Sequence, residues 1–286
     1  MENPKKDTFP AQHQDKQPGK ESIMNPRPLF EDPGYKAAGK LLDKVAVITG
    51  GDSGIGRAVA LAYAKEGADV AMVYLDEHED AKETEQLVCA AGRRCLNIPA
   101  DLKKEQEAAR ITEKVAGEFG KVDILVNNAG VQYPKNSISE ITQEQLQHTF
   151  ESNIFSQFYM TKAVLPHMQK GSSIINTASI TAFEGHPTLI DYSATKGAIL
   201  SFTRSLALSL VTQGIRVNAV APGPVWTPLI VSSFAEAEVK TFGSNTPMAR
   251  AGHPYELAPA YVFLGCDDSS YISGQVIHIN GGMIIN

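Results

Sequence analysis

The chain holds no uninterrupted apolar run of the roughly eighteen residues that a membrane helix needs, so no membrane span is expected. Cysteine is scarce. The three present, Cys89, Cys95 and Cys266, show no Cys-x-x-Cys spacing. They read as small buried hydrophobes of a reducing compartment, not as a disulfide framework or a metal site. The seven histidines are scattered without a His-x-x-x-His pair, so no metal is expected. A basic excess is also missing. Twenty-six Lys and Arg face thirty-two Asp and Glu, for a net charge of −6 and an isoelectric point near 5.7. Such a chain cannot neutralise phosphates in bulk, which argues against nucleic acid as a partner. Tryptophan occurs once, as Trp226.

What is present is ordinary for a soluble globular protein: 43% hydrophobic and 20% charged residues over 286 positions. That length suits one large α/β domain or two small ones. Residues 1–40 stand apart, carrying six of the sixteen prolines amid Lys, Gln and Asp, with no helical or strand period. They read as an arm outside the fold. The arm lacks the apolar core of a secretory signal, which points to a cytoplasmic location. Large apolar residues nevertheless recur in it at Phe9, Ile23, Met24, Leu29, Phe30 and Tyr35. A proline-rich chain is stiff and loses less entropy on docking than a flexible one. The arm is therefore expected to lie across its own or a neighbouring subunit, with these residues as anchors and no catalytic group supplied.

From Leu41 the pattern becomes periodic. Residues 45–48 form a continuous apolar run of the kind a parallel strand buried on both faces requires. Thr49-Gly-Gly-Asp-Ser-Gly-Ile-Gly56 follows, and then a helical pattern through Ala58, Leu61, Ala62 and Ala64. Strand, glycine turn and helix together make a phosphate-binding element. Glycines let backbone N–H groups approach a pyrophosphate, and the helix N-terminus adds its positive dipole end. A P-loop shares the spacing of Gly51 and Gly56, but Arg57-Ala58 stands where Lys-Ser/Thr would be needed.

Alternation then continues. Strands are expected over 69–74, 95–98, 122–126, 173–177, 215–220 and 276–279, and helices over 80–91, up to Phe119, 143–168, 193–210 and 254–264. Residues 222–228 break the pattern, and 234–242 read as a mobile helical lid. The fold class is α/β, a single doubly wound parallel sheet of about seven strands with helices on both faces and ligand at the carboxyl ends of the strands.

The chemistry centres on Tyr192-Ser-Ala-Thr-Lys196. Residues four apart share a helix face, so phenol and ammonium project side by side. A lysine cation favours the phenolate and draws the tyrosine pKa toward the working range. Ser179, at the end of the strand over 173–177, could polarise a substrate oxygen beside it.

These motifs in register resemble the short-chain dehydrogenase/reductase family over residues 41–286. They are Thr-Gly-x-x-x-Gly-Ile-Gly at 49–56, Asn-Asn-Ala-Gly at 127–130, Ser179, Tyr-x-x-x-Lys at 192–196 and Pro-Gly at 222–223. The resemblance is closest to members with a polar N-terminal arm, which include aldehyde reductases, bacterial stress-induced proteins and relatives of glucose dehydrogenases. It implies a Rossmann-type sheet, NAD(P)(H) and hydride exchange with a small carbonyl or alcohol. It implies Tyr192 as proton donor and acceptor, and Lys196 as the residue that tunes it and holds the nicotinamide ribose. Ser179 would bond the reacting oxygen and Asn153 anchor a proton-supplying water chain; capping or kinking a long helix is the other reading of Asn153. The glycine turn (Gly50, Asp52, Ser53, Gly54, Ile55, Gly56) and the end of the second strand (Tyr74, Leu75) would hold the adenosine half. Asp101 and Leu102 would meet the adenine, Asn128, Ala129 and Gly130 the adjoining ribose, and Pro222, Gly223, Val225 and Thr227 the carboxamide.

One departure bears on cofactor choice. Sites for NAD usually present a carboxylate where this chain has Tyr74 and Leu75. Asp52, Asp76 and Glu77 cluster nearby, with Arg57 the only cation close in sequence, and like charge would oppose a 2′-phosphate. The balance leans toward NAD(H). Gln132, Tyr133, Thr181, Phe183, His186 and Trp226 are candidate substrate walls, with Trp226 open between wall and core. The apolar helix over 193–210 and Gly281-Gly-Met-Ile-Ile285 resemble the family's tetramer surfaces, so a homotetramer is expected. A dinucleotide-binding redox sensor or scaffold without turnover is the alternative, as is an epimerase or dehydratase of the extended family, for which about sixty residues after the sixth strand leave little room.

Overall fold

The computed structural model describes residues 8–285. Its core is one parallel sheet of seven strands in the order β3-β2-β1-β4-β5-β6-β7. The strands are β1 (Val45–Thr49), β2 (Asp69–Tyr74), β3 (Cys95–Pro99), β4 (Ile124–Asn127), β5 (Ser173–Thr177), β6 (Arg216–Pro222) and β7 (Val276–Ile279). The helices follow in chain order: α1 (Gly54–Lys65), α2 (His78–Ala90), α3 (Glu105–Phe119), α4 (Gln143–Phe150), α5 (Ser156–Val164), α6 (Thr181–Glu184), α7 (Ile190–Leu210), α8 (Pro228–Val231), α9 (Glu236–Lys240) and α10 (Pro254–Gly265).

Strand residues alternate between two cores, as the two-residue period of a pleated strand requires. On one face Ala46, Ile48, Val70, Met72 and Val126 pack with α1 and α10. On the other, Val47, Ala71, Val73, Leu125 and Ile174 pack with α3, α5 and α7. A sheet covered on both sides explains why β1, β2, β4, β5 and β6 are buried along their whole length. The order reverses between β1 and β4, and the chain diverges there into a crevice above the strand ends.

Three elements differ from the sequence expectation. The helix expected over 143–168 is divided: a single π turn, Glu151–Phe155, separates α4 from α5, and a 3₁₀ turn ends it at His167. Such turns admit an extra residue into a helix, often where a side chain has a task. The helix carrying Lys196 starts three residues earlier than expected and so includes Tyr192. The lid is two short helices, α8 and α9, with Phe234 between them.

Among the described residues of the arm there is no helix or strand, yet it is docked on its own chain. Phe9 N donates to Lys240 O (3.0 Å), Gln14 N to Val231 O (2.8 Å), and Leu29 O accepts from Tyr255 N (3.1 Å). The Phe9 ring lies flat on Trp226, with centroids 3.7 Å apart and planes within 3°. Met24 joins the same cluster as Trp226, Val231 and Phe234. Tyr35 bonds the Glu66 carboxylate, and Phe30 packs on the core around α1 and α10. Ile23 and Leu29, expected as anchors, are instead 66% and 53% exposed.

Candidate active site

The crevice at the strand reversal is a cavity of about 660 Å³. One wall is the glycine turn between β1 and α1. Gly50 has φ +62° and Gly54 φ +53°, both in the left-handed region that glycine alone enters freely. A Cβ on Gly56 would collide with the Gly50 carbonyl, so this glycine closes the turn on the helix and does not itself face the cavity. Gly54 N donates at 2.6 Å to Glu21 of the arm, so that amide is already partnered. Asn128 braces the turn across the reversal, its side-chain amide donating to Thr49 O (3.2 Å) and Gly50 O (3.1 Å).

Gly50, Asp52, Ser53, Gly54, Ile55, Tyr74, Leu75, Asp101, Leu102, Asn128, Ala129 and Gly130 line one continuous stretch of the cavity. Pro222, Gly223, Val225, Thr227, Ser179, Tyr192 and Lys196 line the rest. The cradle suits an elongated dinucleotide. Side chains at Gly50 and Gly130 would come within 3.1 Å of Ala129 Cα and 3.3 Å of Asn153 Oδ1, so bare backbone there keeps the groove open. Of the residues the sequence assigned to catalysis or the cofactor, Gly56 and Asn153 alone lie behind the wall. Asn153 is fully buried; its amide donates to Val131 O (2.9 Å) and Thr195 Oγ1 (3.1 Å) and accepts from Val131 N (2.8 Å). Asn153 lies inside the π turn that interrupts the helix, so it does not cap the helix but marks its kink.

At the inner end, α7 presents Tyr192 and Lys196 on one face, as their spacing requires. Lys196 Nζ donates to Thr177 O at 2.8 Å and lies 5.4 Å from the centre of the Tyr192 ring. Burial pushes the Lys196 pKa down to about 7. Burial likewise pushes Tyr192 up to about 12, opposed by its hydrogen bond with Ser179. The lysine does not offset the burial of the tyrosine in this structure. The ammonium is spent on a carbonyl and sits over the ring, not at the phenol oxygen, so removal from water dominates.

At the adenosine end the charges also differ from expectation. Arg57 is fully buried and committed: it pairs with Glu21 (2.7 Å) and Glu83 (2.9 Å) and donates to Asp52 O and Asp80 O. It cannot meet a cofactor phosphate. Burial raises Asp52 to about 6 and Glu77 to about 8. Burial thus pushes Glu77, a cavity residue, toward its neutral form, which weakens the like-charge argument against a 2′-phosphate. Asp76 meanwhile pairs with Lys16, a cation delivered from sixty positions away. No local pattern in the sequence could have signalled that meeting.

Of the candidate substrate walls, Gln132, Thr181 and His186 line the cavity, whereas Tyr133 and Phe183 do not. Trp226 is fully buried, stacked on Phe9 and donating to Pro26 O (2.9 Å), so it is core. Sequence reasoning missed Pro18 and Gly19 of the arm, Glu184, Glu238 and Met283 as lining residues.

Fold and site together define a Rossmann-type oxidoreductase, and the chain belongs to the short-chain dehydrogenase/reductase family. The family described as enoyl-(acyl carrier protein) reductase matches residues 50–284. The chain is 53% identical to the glucose and ribitol dehydrogenase of Daucus carota, over 97% of this chain and 98% of that one. It is 51% identical to the chloroplastic NADPH-dependent aldehyde reductase 1 of Arabidopsis thaliana, over 96% and 98%. A solved short-chain dehydrogenase from Burkholderia cenocepacia, in complex with NADP, superposes with a TM-score of 0.80 at 31% identity, covering 85% of this chain and 98% of that one. Neither the reductase nor the solved neighbour favours NAD(H) over NADP(H).

Proposed function

We propose that this chain exchanges a hydride between NAD(P)(H) and a small neutral carbonyl or alcohol, an aldehyde, ketone or polyol, with Tyr192 as the acid–base group. The observation that carries the reading is the convergence of Tyr192, Ser179 and Lys196 in one buried corner of a cavity whose far wall is the glycine turn. When bound, the nicotinamide supplies the hydride acceptor or donor. Tyr192 keeps its proton at neutral pH and is poised to give it to an oxygen whose carbon gains a hydride. Ser179, bonded to the tyrosine, orients the same oxygen. Lys196, which lines the cavity beside Tyr192, would hold the nicotinamide ribose, and Asn153, anchored on Val131 and Thr195, would support proton resupply.

At the substrate end Gln132, Thr181 and His186 stand with Glu184 and Glu238. Two carboxylates disfavour an anionic substrate, and the polar lining suits hydroxyl-rich or small carbonyl compounds. The names of the carrot and Arabidopsis relatives fall within that class. Both cofactor forms are accepted in this reading, since neither a free arginine nor a charged Glu77 decides between them. Residues 1–40 form the arm, residues 41–286 the dinucleotide-binding catalytic domain, and the working form is a cytoplasmic homotetramer. The test is a panel of aldehydes, ketones and polyols assayed with each cofactor by nicotinamide absorbance. Tyr192→Phe should lower kcat by about 10²–10⁴-fold while cofactor dissociation constants stay within twofold of wild type. Near-wild-type turnover by Tyr192→Phe would remove the acid–base assignment.

A further inference from the structure

Residues 13–22 of the arm bond several walls of the cavity. Gln17 is their centre. Its amide Nε2 donates to Gln132 O (2.5 Å) and Ser232 O (3.3 Å), and its Oε1 accepts from Gln132 N (3.1 Å). One side chain thus ties the loop after β4 to the lid. The preceding residue of that loop, Val131, is held in the same two-way fashion by Asn153. Two amides from opposite sides therefore clamp consecutive backbone units at the reacting end of the site.

On either side of Gln17 the strap continues. His13 Nδ1 meets Phe234 O (2.8 Å) and Gln14 N donates to Val231 O, both in the lid. Gly19 is seated so closely that a Cβ there would lie 2.6 Å from Pro228 O and 3.1 Å from Ser232 Cβ. Pro18 and Gly19 line the cavity together with Gly50, Ser53, Leu229 and Ile230. Farther on, Asp80 accepts from Glu21 N (2.7 Å) and Ser22 N (3.0 Å), and the Glu21 carboxylate holds Gly54 N and Arg57. Within ten residues the arm grips the lid, the β4 loop, the glycine turn and α2.

We propose that residues 13–22 are a latch across the cavity, and that Gln17 is its positioning residue, holding the lid closed over the nicotinamide end and so limiting the rate at which the dinucleotide leaves. This rests on the reading that the cavity takes NAD(P)(H). Because Glu21 anchors the segment to the cofactor-side turn and Gln14 to the lid, the lid cannot swing away without breaking the Gln17 clamp.

The test compares the full-length protein with Gln17→Ala and Gln17→Glu, and with Ile23→Ala, an exposed arm residue, as control. Gln17→Glu keeps an acceptor for Gln132 N but sets an anion against two carbonyl oxygens. Amide exchange of residues 228–234 is followed without cofactor, and release of NADPH and NADH by stopped-flow fluorescence. Both Gln17 variants should speed lid exchange and raise the release rate by about tenfold, the worth of one net hydrogen bond. Ile23→Ala should change neither, and melting temperatures should stay within a few degrees. Unaltered release in both Gln17 variants would overturn the latch, even if lid exchange were faster, because Gln17 would then be a brace only. Wild-type protein that binds no reduced nicotinamide would instead sink the cofactor reading. Lid exchange would still decide whether Gln17 holds the lid.

Discussion

Lys196 and Tyr192 show how far burial can move a titration that sequence spacing leaves undetermined. A lysine at about 7 in the folded protein and near its ordinary value when unfolded binds fewer protons folded than unfolded across that interval. Stability from this group is therefore lowest below about 7 and rises as pH increases toward the unfolded value. The difference in unfolding free energy between wild type and Lys196→Met should grow in favour of wild type from pH 7 to pH 9, and parallel urea titrations would show it. A difference that shrinks with pH would contradict the buried, partly neutral lysine. Arg57 offers a second residue-scale outcome. With the Glu21 carboxylate fully buried against it, Arg57→Ala leaves an uncompensated charge and should cost about 3–5 kcal/mol. Glu21→Gln in the same background should recover part of that loss, as a double-mutant cycle would measure.

At the scale of elements, the parts that announced themselves did so through uniform burial. β2 and β5 fall where expected because strands covered on both faces read as largely apolar runs between turn residues. The glycine turn was equally legible, because Gly50, Gly54 and Gly56 answer local backbone demands. Gly56→Ala should strain the turn by about 1–3 kcal/mol and weaken dinucleotide binding more than it lowers kcat, since the collision is with the carbonyl of Gly50, a cavity-lining residue. Binding isotherms would check this; unchanged affinity would argue against the turn as the phosphate cradle. The π turn was illegible, because Asn153 pulls the helix inward through bonds to Val131 and Thr195, contacts that lie 22 and 42 positions away. The split lid and the commitment of Arg57 to the arm were hidden for the same reason. Periodicity reports burial of a face, not which distant backbone a polar side chain will find.

For the whole molecule, the uncovered apolar surface matters most. Phe155 and Phe158 on the α4–α5 segment and Leu208 and Val211 at the end of α7 are 43%, 51%, 80% and 54% exposed, and Ile285 is 92% exposed. Exposure of such residues in clusters gains nothing in a monomer and is relieved by assembly. Sedimentation at micromolar concentration should give a tetramer, and Phe158→Glu should shift it toward smaller species without disturbing the β1–β4 crevice.

The Phe9–Trp226 stack turns the arm into something that can be watched by light. Trp226 is the sole tryptophan of the chain, so its emission is a single-site signal free of background from other indoles. Docked, the indole is wholly shielded, with one face against Phe9 and its N–H given to Pro26 O. Truncation of residues 1–19 strips off that ring and admits water, so emission should move to longer wavelength and become open to quenching by iodide. The same protein with Phe9→Trp would carry two stacked indoles, whose exciton coupling in near-ultraviolet circular dichroism would report arm docking directly, in the absence of substrate and at any stage of turnover.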